Sequence, residues 1–202
     1  PDLETVKSGL AAFDAASSGQ FPADGLGGCI DLSDSGTQLP HGLLKYAADP
    51  VRHLKNWLTR AMPDPRGNGD PGIEKWDRLL GAGPGLTPSG DDLVGGVMLA
   101  LHRLGQFLNL RSLSSAVSGV VHERTNSISA AHLKSAMEGM GSEAVHYAMD
   151  TIVANDSDAL PAALAGIDKV GHTSGWDALA GIVITLRSWV EVNDMTSRSR
   201  SN

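Results

Sequence analysis

A chain of 202 residues is long enough to build its own core; at this length roughly 70% of the surface of the unfolded chain is buried on folding. Its 41% hydrophobic and 19% charged residues are a globular composition, and a net charge of −7 without a basic block excludes nucleic acid and anionic membrane as expected partners. Cys29 is the one cysteine, so there is neither a disulfide framework nor a thiolate zinc site, and the lone thiol fits a reducing, cytoplasmic compartment.

Helical spacing of Leu3, Val6, Leu10 and Phe13 predicts a first helix over Leu3–Ala16. Residues 20–42 are rich in Gly, Asp, Ser and Pro and read as a long loop, with a short extended piece at Gly28–Leu32. Asp49-Pro50 opens a helix over Val51–Met62, Pro at its first position. The Pro/Gly-rich stretch 62–72 reads as a flexible linker. A short helix at Ile73–Leu80 leads into a glycine loop, Gly81–Gly85. A strong helix follows from Ser89 to Leu104. Further helices are expected at Leu113–Arg124, Ser129–Met137, Glu143–Val153, Ala162–Lys169 and Gly175–Val192. No apolar run is long enough to span a bilayer, and strand signals are weak throughout.

The expected fold class is therefore mainly α: a single helical domain packed around two glycine-containing apolar helices, with a loop-rich N-terminal segment. Three regions are expected: residues 1–72 with N-terminal helices and long loops, a helical core over 73–195, and a disordered polar tail, 196–202.

The informative segment is GAGPGLTPSGDDLVGG, residues 81–96. Ser89 reads as an N-cap and Asp92, three residues on, as the acid of a capping box. Gly83 and Gly85 let the backbone turn and approach another group closely. A helix start of this kind favours an anion through its free N–H groups and the macrodipole. The frame recurs: Ser174-Gly175-Trp176-Asp177, then Gly181-Ile182, matches Ser89-Gly90-Asp91-Asp92, then Gly96-Val97. Thr87 precedes the first frame and Thr173 the second. Glycine inside a helix costs about 1 kcal/mol relative to Ala. Close crossing explains that cost, so these two helices are expected to pack together, with Gly95 or Gly96 and Gly181 at the contact. If the cap uses Asp92, Asp91 is free to face a ligand; capping alone equally explains an acid at either position.

His172 lies just before the second frame, where an imidazole can act as acid or base or make an ordinary loop hydrogen bond. The run Thr125–Leu133 brings Thr125, Ser127 and Ser129 to another helix start, with His132 inside the helix. No two of the seven histidines stand at zinc-helix spacing.

The motifs GPGLTPSGDD (83–92), TNSIS (125–129) and GHTSGWDALAG (171–181) together resemble the AllH-like family, whose named member is a subunit of oxamate carbamoyltransferase. The resemblance covers roughly Ile73–Val192. It implies phosphorolysis of oxalurate to oxamate and carbamoyl phosphate within a complex of several subunits. Members are usually longer at the N terminus, which implies that residues 1–72 are the remnant of a larger region.

Such a reaction needs donors for an anion and for a developing oxyanion, and acceptors for the carbamoyl NH₂. Gly85, Thr87, Ser89, Gly90, Thr125, Ser129, Thr173 and Ser174 are the candidate binding residues, joined by Asp92 and Asp177. Asp91 and His172 are the candidate catalytic residues. Asp91 has an alternative role, holding Mg²⁺; no other cofactor is expected. Two readings stand: a carbamoyltransferase subunit binding a small anionic substrate, or a non-catalytic anion-binding or assembly subunit whose partners carry the chemistry.

Overall fold

The computed structural model describes residues 1–31, 42–64 and 69–200. Among these, the chain is mainly α-helical and contains no strand. Eight helices follow in order: α1 Leu3–Ser17, α2 Leu43–Ala61, α3 Ser89–Arg103, α4 Phe107–Arg124, α5 Ser127–Met137, α6 Glu143–Ala154, α7 Leu160–Ile167 and α8 Ser174–Arg200. Short 3₁₀ turns stand at Gly27–Asp31, Ile73–Lys75 and Asp77–Leu79.

Several differences from the expected elements have physical reasons. The extended piece expected at Gly28–Leu32 is a 3₁₀ turn over Gly27–Asp31, and Leu32 lies outside the described residues. Helix α2 begins at Leu43, so Pro50 stands inside it, with no N–H to offer the carbonyl of Tyr46. Its apolar stripe of Ala47, Val51, Leu54, Leu58 and Ala61 is buried, and that packing carries the helix through the proline. Helix α4 begins at Phe107 rather than Leu113; exposed Phe107 and Leu108 blur its apolar face in the sequence. The segment at 73–80 forms two 3₁₀ turns instead of one helix. Residues 65–68 of the expected linker lie outside the described residues. Its far end is held, because the indole N–H of Trp57 donates to the Gly69 carbonyl at 3.0 Å and that of Trp76 to the Pro71 carbonyl at 2.8 Å. Helix α8 continues to Arg200, into the tail expected to be disordered; residues 201–202 lie outside the described residues.

Helix α8 is the axis of the molecule. It contacts α1, α2, α3, α6 and the turn at Gly27–Asp31. Trp176, Leu179, Ile182, Val183 and Leu186 on it are buried. Helix α3 is its main partner and is buried on most of its circumference, from Leu93 through Leu101. One hydrophobic cluster runs from Val6 to Val192, so α1 and α2 share the core of the later helices. Among the described residues no helix is long and apolar enough to cross a membrane.

The contact between α3 and α8 is backbone on backbone. A Cβ added at Gly96 would stand 1.9 Å from the Ala178 carbonyl oxygen, and one at Gly181 would stand 2.0 Å from that of Leu93. Each helix thus sets a glycine against a carbonyl of the other. Gly95 takes no part in this contact; a Cβ there would meet only the Ala136 methyl, at an ordinary 3.8 Å.

The neighbouring glycines therefore answer oppositely to the same change. Gly96→Ala and Gly181→Ala force the helices apart and should each destabilise by about 1–3 kcal/mol or more, the overpacking range. Gly95→Ala should leave stability unchanged or raise it by up to about 1 kcal/mol through helix propensity. Urea unfolding of the three variants decides the matter, and equal losses at Gly95 and Gly96 would contradict the packing.

Candidate functional site

The α3–α8 crossing brings their N-terminal ends together, and α5 delivers a third. The hydroxyls form two cross-helix pairs: Thr87 Oγ1 lies 3.0 Å from Ser174 Oγ, and Ser89 Oγ lies 3.4 Å from Thr173 Oγ1. Each pair bears on one aspartate. The Thr87 and Ser174 hydroxyls serve Asp92, and the Ser89 and Thr173 hydroxyls serve Asp177. Asp92 is thus served by α8's serine and Asp177 by α3's, which is the spatial form of the repeated frame.

Asp177 is fully buried, and its Oδ1 accepts from the Leu26 N–H at 2.5 Å. The N-terminal loop lies directly over it: a Cβ at Gly25 would be 2.6 Å from Asp177 Oδ1 and 2.8 Å from Thr173 Cβ. Burial raises the Asp177 pKa, while the Ser89 and Thr173 hydroxyls and the Leu26 and Gly27 amides work against the rise.

The capping-box reading of Ser89 and Asp92 is corrected by the geometry. Ser89 is the first helical residue, and Pro88 stands at the cap position without any side-chain cap bond. This places Asp91 at the third helical position and Asp92 at the fourth. Asp91 is the saturated acid. It accepts from the Gly81 N–H at 2.9 Å, the Thr125 hydroxyl at 2.5 Å and the Ser129 hydroxyl at 2.7 Å, pinning the glycine loop and the start of α5 to α3. Asp177 and Asp92 each have a buried Oδ2 with no hydrogen-bond partner. Asp92 is the less enclosed of the two residues. Burial first, then the charges of Asp177 and Asp91, push its pKa up to about 7, against hydrogen bonds from Ser174 and Thr87.

Several helix-start amides are already engaged. Gly90 N–H donates to the Ala82 carbonyl, and Asp91 and Asp92 N–H to that of Pro88. Gly175 N–H donates to Val170 and Asp177 N–H to Thr173. On α5, the Asn126 side chain accepts from Ile128 and Ser129. The N–H groups of Gly90, Asp91, Asp92, Gly175 and Asp177 are thus turned inward. Gly90 is a packing residue, since a Cβ there would stand 1.9 Å from the Leu79 carbonyl oxygen.

A cleft of about 550 Å³ opens beside this junction, between α3, α5, the start of α6 and the start of α8. Thr87, Asp91, Asp92, Ser129 and Ser174 line it, with His132 on the α5 wall. Its remaining walls are largely apolar, and no Lys or Arg is among the described residues that line it. Gly85 lies outside it, on the far side of the glycine loop. His172 also points elsewhere: its ring is exposed and lies 3.1 Å from Asp24 Oδ2. Among the described residues no three His, Cys, Asp or Glu side chains converge as a metal set would require. His132 is a cleft residue that was not picked out as a candidate, and its signal is spacing: it stands three positions after Ser129, on the same helical face.

The family model described as oxamate carbamoyltransferase subunit AllH matches residues 79–186, more than half of the chain. The chain belongs to this family. The matched segment contains all three helix starts, the glycine loop and the complete cleft wall. No solved structure matches the chain.

The acids can be separated by stability alone. Removing Asp91 strands a backbone amide and two hydroxyls, so Asp91→Ala should cost roughly 2–4 kcal/mol. Asp92 has a folded-state pKa near 7, above the 3.8 of a free carboxylate. The folded state therefore holds more protons between these values. This contribution is complete below about pH 4 and is lost as pH rises through about 7. Asp92→Asn should remove that slope and raise stability at pH 8 by roughly 1–3 kcal/mol, at about 1.4 kcal/mol per unit discounted for partial solvent access. Asp177 contributes in the same direction, so the variant flattens the profile without abolishing it. Thermal unfolding from pH 5 to 8 checks both; an Asp92→Asn profile parallel to the parent's would refute the assignment.

Proposed function

We propose that this chain is the carbamoyl-binding subunit of an oxamate carbamoyltransferase, acting on oxalurate and phosphate to give oxamate and carbamoyl phosphate. The observation that carries the reading is the unpartnered oxygen of Asp92, bordering a hydroxyl-lined cleft. A buried acceptor without a donor is costly, and a carbamoyl NH₂ supplies donors of the required kind. The Thr87 and Ser174 hydroxyls, paired at 3.0 Å, are placed to turn toward the carbamoyl oxygen as charge develops on it. In the reaction, a phosphate oxygen bonds to the carbamoyl carbon, the bond from that carbon to the oxamate nitrogen breaks, and that nitrogen takes up a proton.

The cleft suits the amide end of the substrate better than its anionic end. A carboxylate or phosphate there meets Asp91 and Asp92 with no facing cation among the described lining residues. We assign charge neutralisation at the reacting phosphate to another subunit, in keeping with a family described as a subunit. Asp91 takes the positioning role, because its three donors hold the walls of the cleft.

The test pairs binding with turnover. A ligand bound only by the folded chain raises the melting temperature, by RT ln(1 + [L]/Kd) in free energy. Oxalurate, which carries the carbamoyl group, should stabilise the isolated chain at pH 8, and Asp92→Asn should abolish that shift. In the reconstituted complex the same variant should lose phosphorolysis of oxalurate by roughly a hundredfold or more, as when one oxyanion-site partner is lost. An oxalurate shift that survives in Asp92→Asn, with turnover intact, would remove Asp92 from the site.

A further inference from the structure

The glycine loop has a second face, away from the cleft. Two adjoining hollows of about 370 and 320 Å³ open there and share Gly81, Gly83, Glu123 and Arg124. The first also takes in Tyr46 and Arg78, and the second Gly85 and Asn126. This side carries the cations that the cleft lacks. Arg124 is bonded to Asp77. Arg78 has no carboxylate partner among the described residues; its guanidinium lies over the Tyr46 ring, 5.4 Å from the centroid. The ring holds the planar group while leaving its N–H edge available.

The loop contributes backbone to the same hollows. Gly81, Gly83 and Gly85 have φ of +77°, +112° and +96°. The N–H groups of Gly83 and Gly85 find no acceptor among the described residues. A Cβ at Gly85 would meet nothing within 4 Å, so its glycine serves the backbone conformation and leaves that face of the loop uncovered. A left-handed glycine turn whose hollows are also lined by guanidinium groups is a recurrent setting for a tetrahedral oxyanion. Glu123 opposes this, and the balance rests on Arg78, the cation without an acid of its own among the described residues.

We propose that the Arg78–Arg124 face of the glycine loop binds a tetrahedral oxyanion of the phosphate class. The site shares no side chain with the carbamoyl cleft, and the inference does not rest on the proposed reaction. Its consequence for the cleft is mechanical: the loop continues from Gly85 through Leu86 to Thr87, which lines the cleft, so an oxyanion that orders the loop also orders the Thr87 hydroxyl.

Isothermal titration of the isolated chain with inorganic phosphate, and in parallel with glycerol phosphate, tests the site at constant ionic strength. Saturable binding of either supports it, and the tighter of the two shows whether free or esterified phosphate is preferred. Arg78→Ala should weaken binding by about tenfold or more. Arg103→Ala, which removes an equal charge from the pair with Asp150, should leave it nearly unchanged. Glu123→Gln should tighten it. Circular dichroism confirms that each variant is folded, and the Glu123 arm asks for a gain, which misfolding cannot imitate. No saturable binding at about 10 mM, equal losses in the Arg78 and Arg103 variants, or weaker binding in Glu123→Gln would each overturn the proposal. Oxalurate binding lost in Asp92→Asn with phosphate binding kept, and the reverse in Arg78→Ala, would separate this site from the cleft.

Discussion

The geometry of the candidate cleft depends on how closely two helices cross. Gly96 and Gly181 allow the α3 and α8 backbones to touch, each against a carbonyl of the other helix. Because both residues lie less than two turns from their helix starts, a tight crossing there also sets the spacing of those starts. The cross-helix hydroxyl pairs, Thr87 with Ser174 and Ser89 with Thr173, are a product of that approach. A side chain at the crossing would separate the helices by more than a hydrogen bond can stretch.

The closeness has an electrostatic consequence. Three aspartates share a small, largely dry volume, and they are handled differently. Asp91 is satisfied by three donors from two other segments. Asp177 is sealed beneath the N-terminal loop and held by its amides. Asp92 and Asp177 each keep an unpartnered Oδ2, but of the two only Asp92 lines the cleft, and its pKa is pushed to about 7. Buried acids with such different surroundings divide into structural and responsive groups, and the responsive one borders the cleft.

Much of the scaffold was legible in the chain. The repeated S-G-x-D-x-x-x-G frame announced both apolar helices and their glycine contact, because helical spacing and the cost of an internal glycine are local properties. What was not legible was the exchange of parts between adjacent acids. Whether Ser89 caps the helix or begins it is a matter of one residue, and that residue decides which acid faces the loop. Nothing near Asp91 in sequence indicates that its partners are Gly81, Thr125 and Ser129, which reach it through tertiary packing. The loop over Asp177 was hidden for the same reason, since Leu26 and Gly25 read only as part of a glycine-rich connection. His172 was attractive for its position in a motif, but a side chain in a turn is free to point outward, and it does.

The distances along the chain between interacting groups have a bearing on how the protein comes to be. Thr87 and Ser174 are 87 residues apart, Leu26 and Asp177 are 151 apart, and Arg187 reaches back 173 residues to Asp14. All three closures wait for α8, which leaves the ribosome after the other seven described helices. Until it arrives, α3 has emerged with its apolar surface from Leu93 to Leu101 uncovered. Contacts so remote in sequence are slow to form, and exposed apolar surface during that interval invites association with other chains. The helix that completes the cleft is therefore also the one that covers α3, and the period before its arrival is when a folding assistant has most to offer.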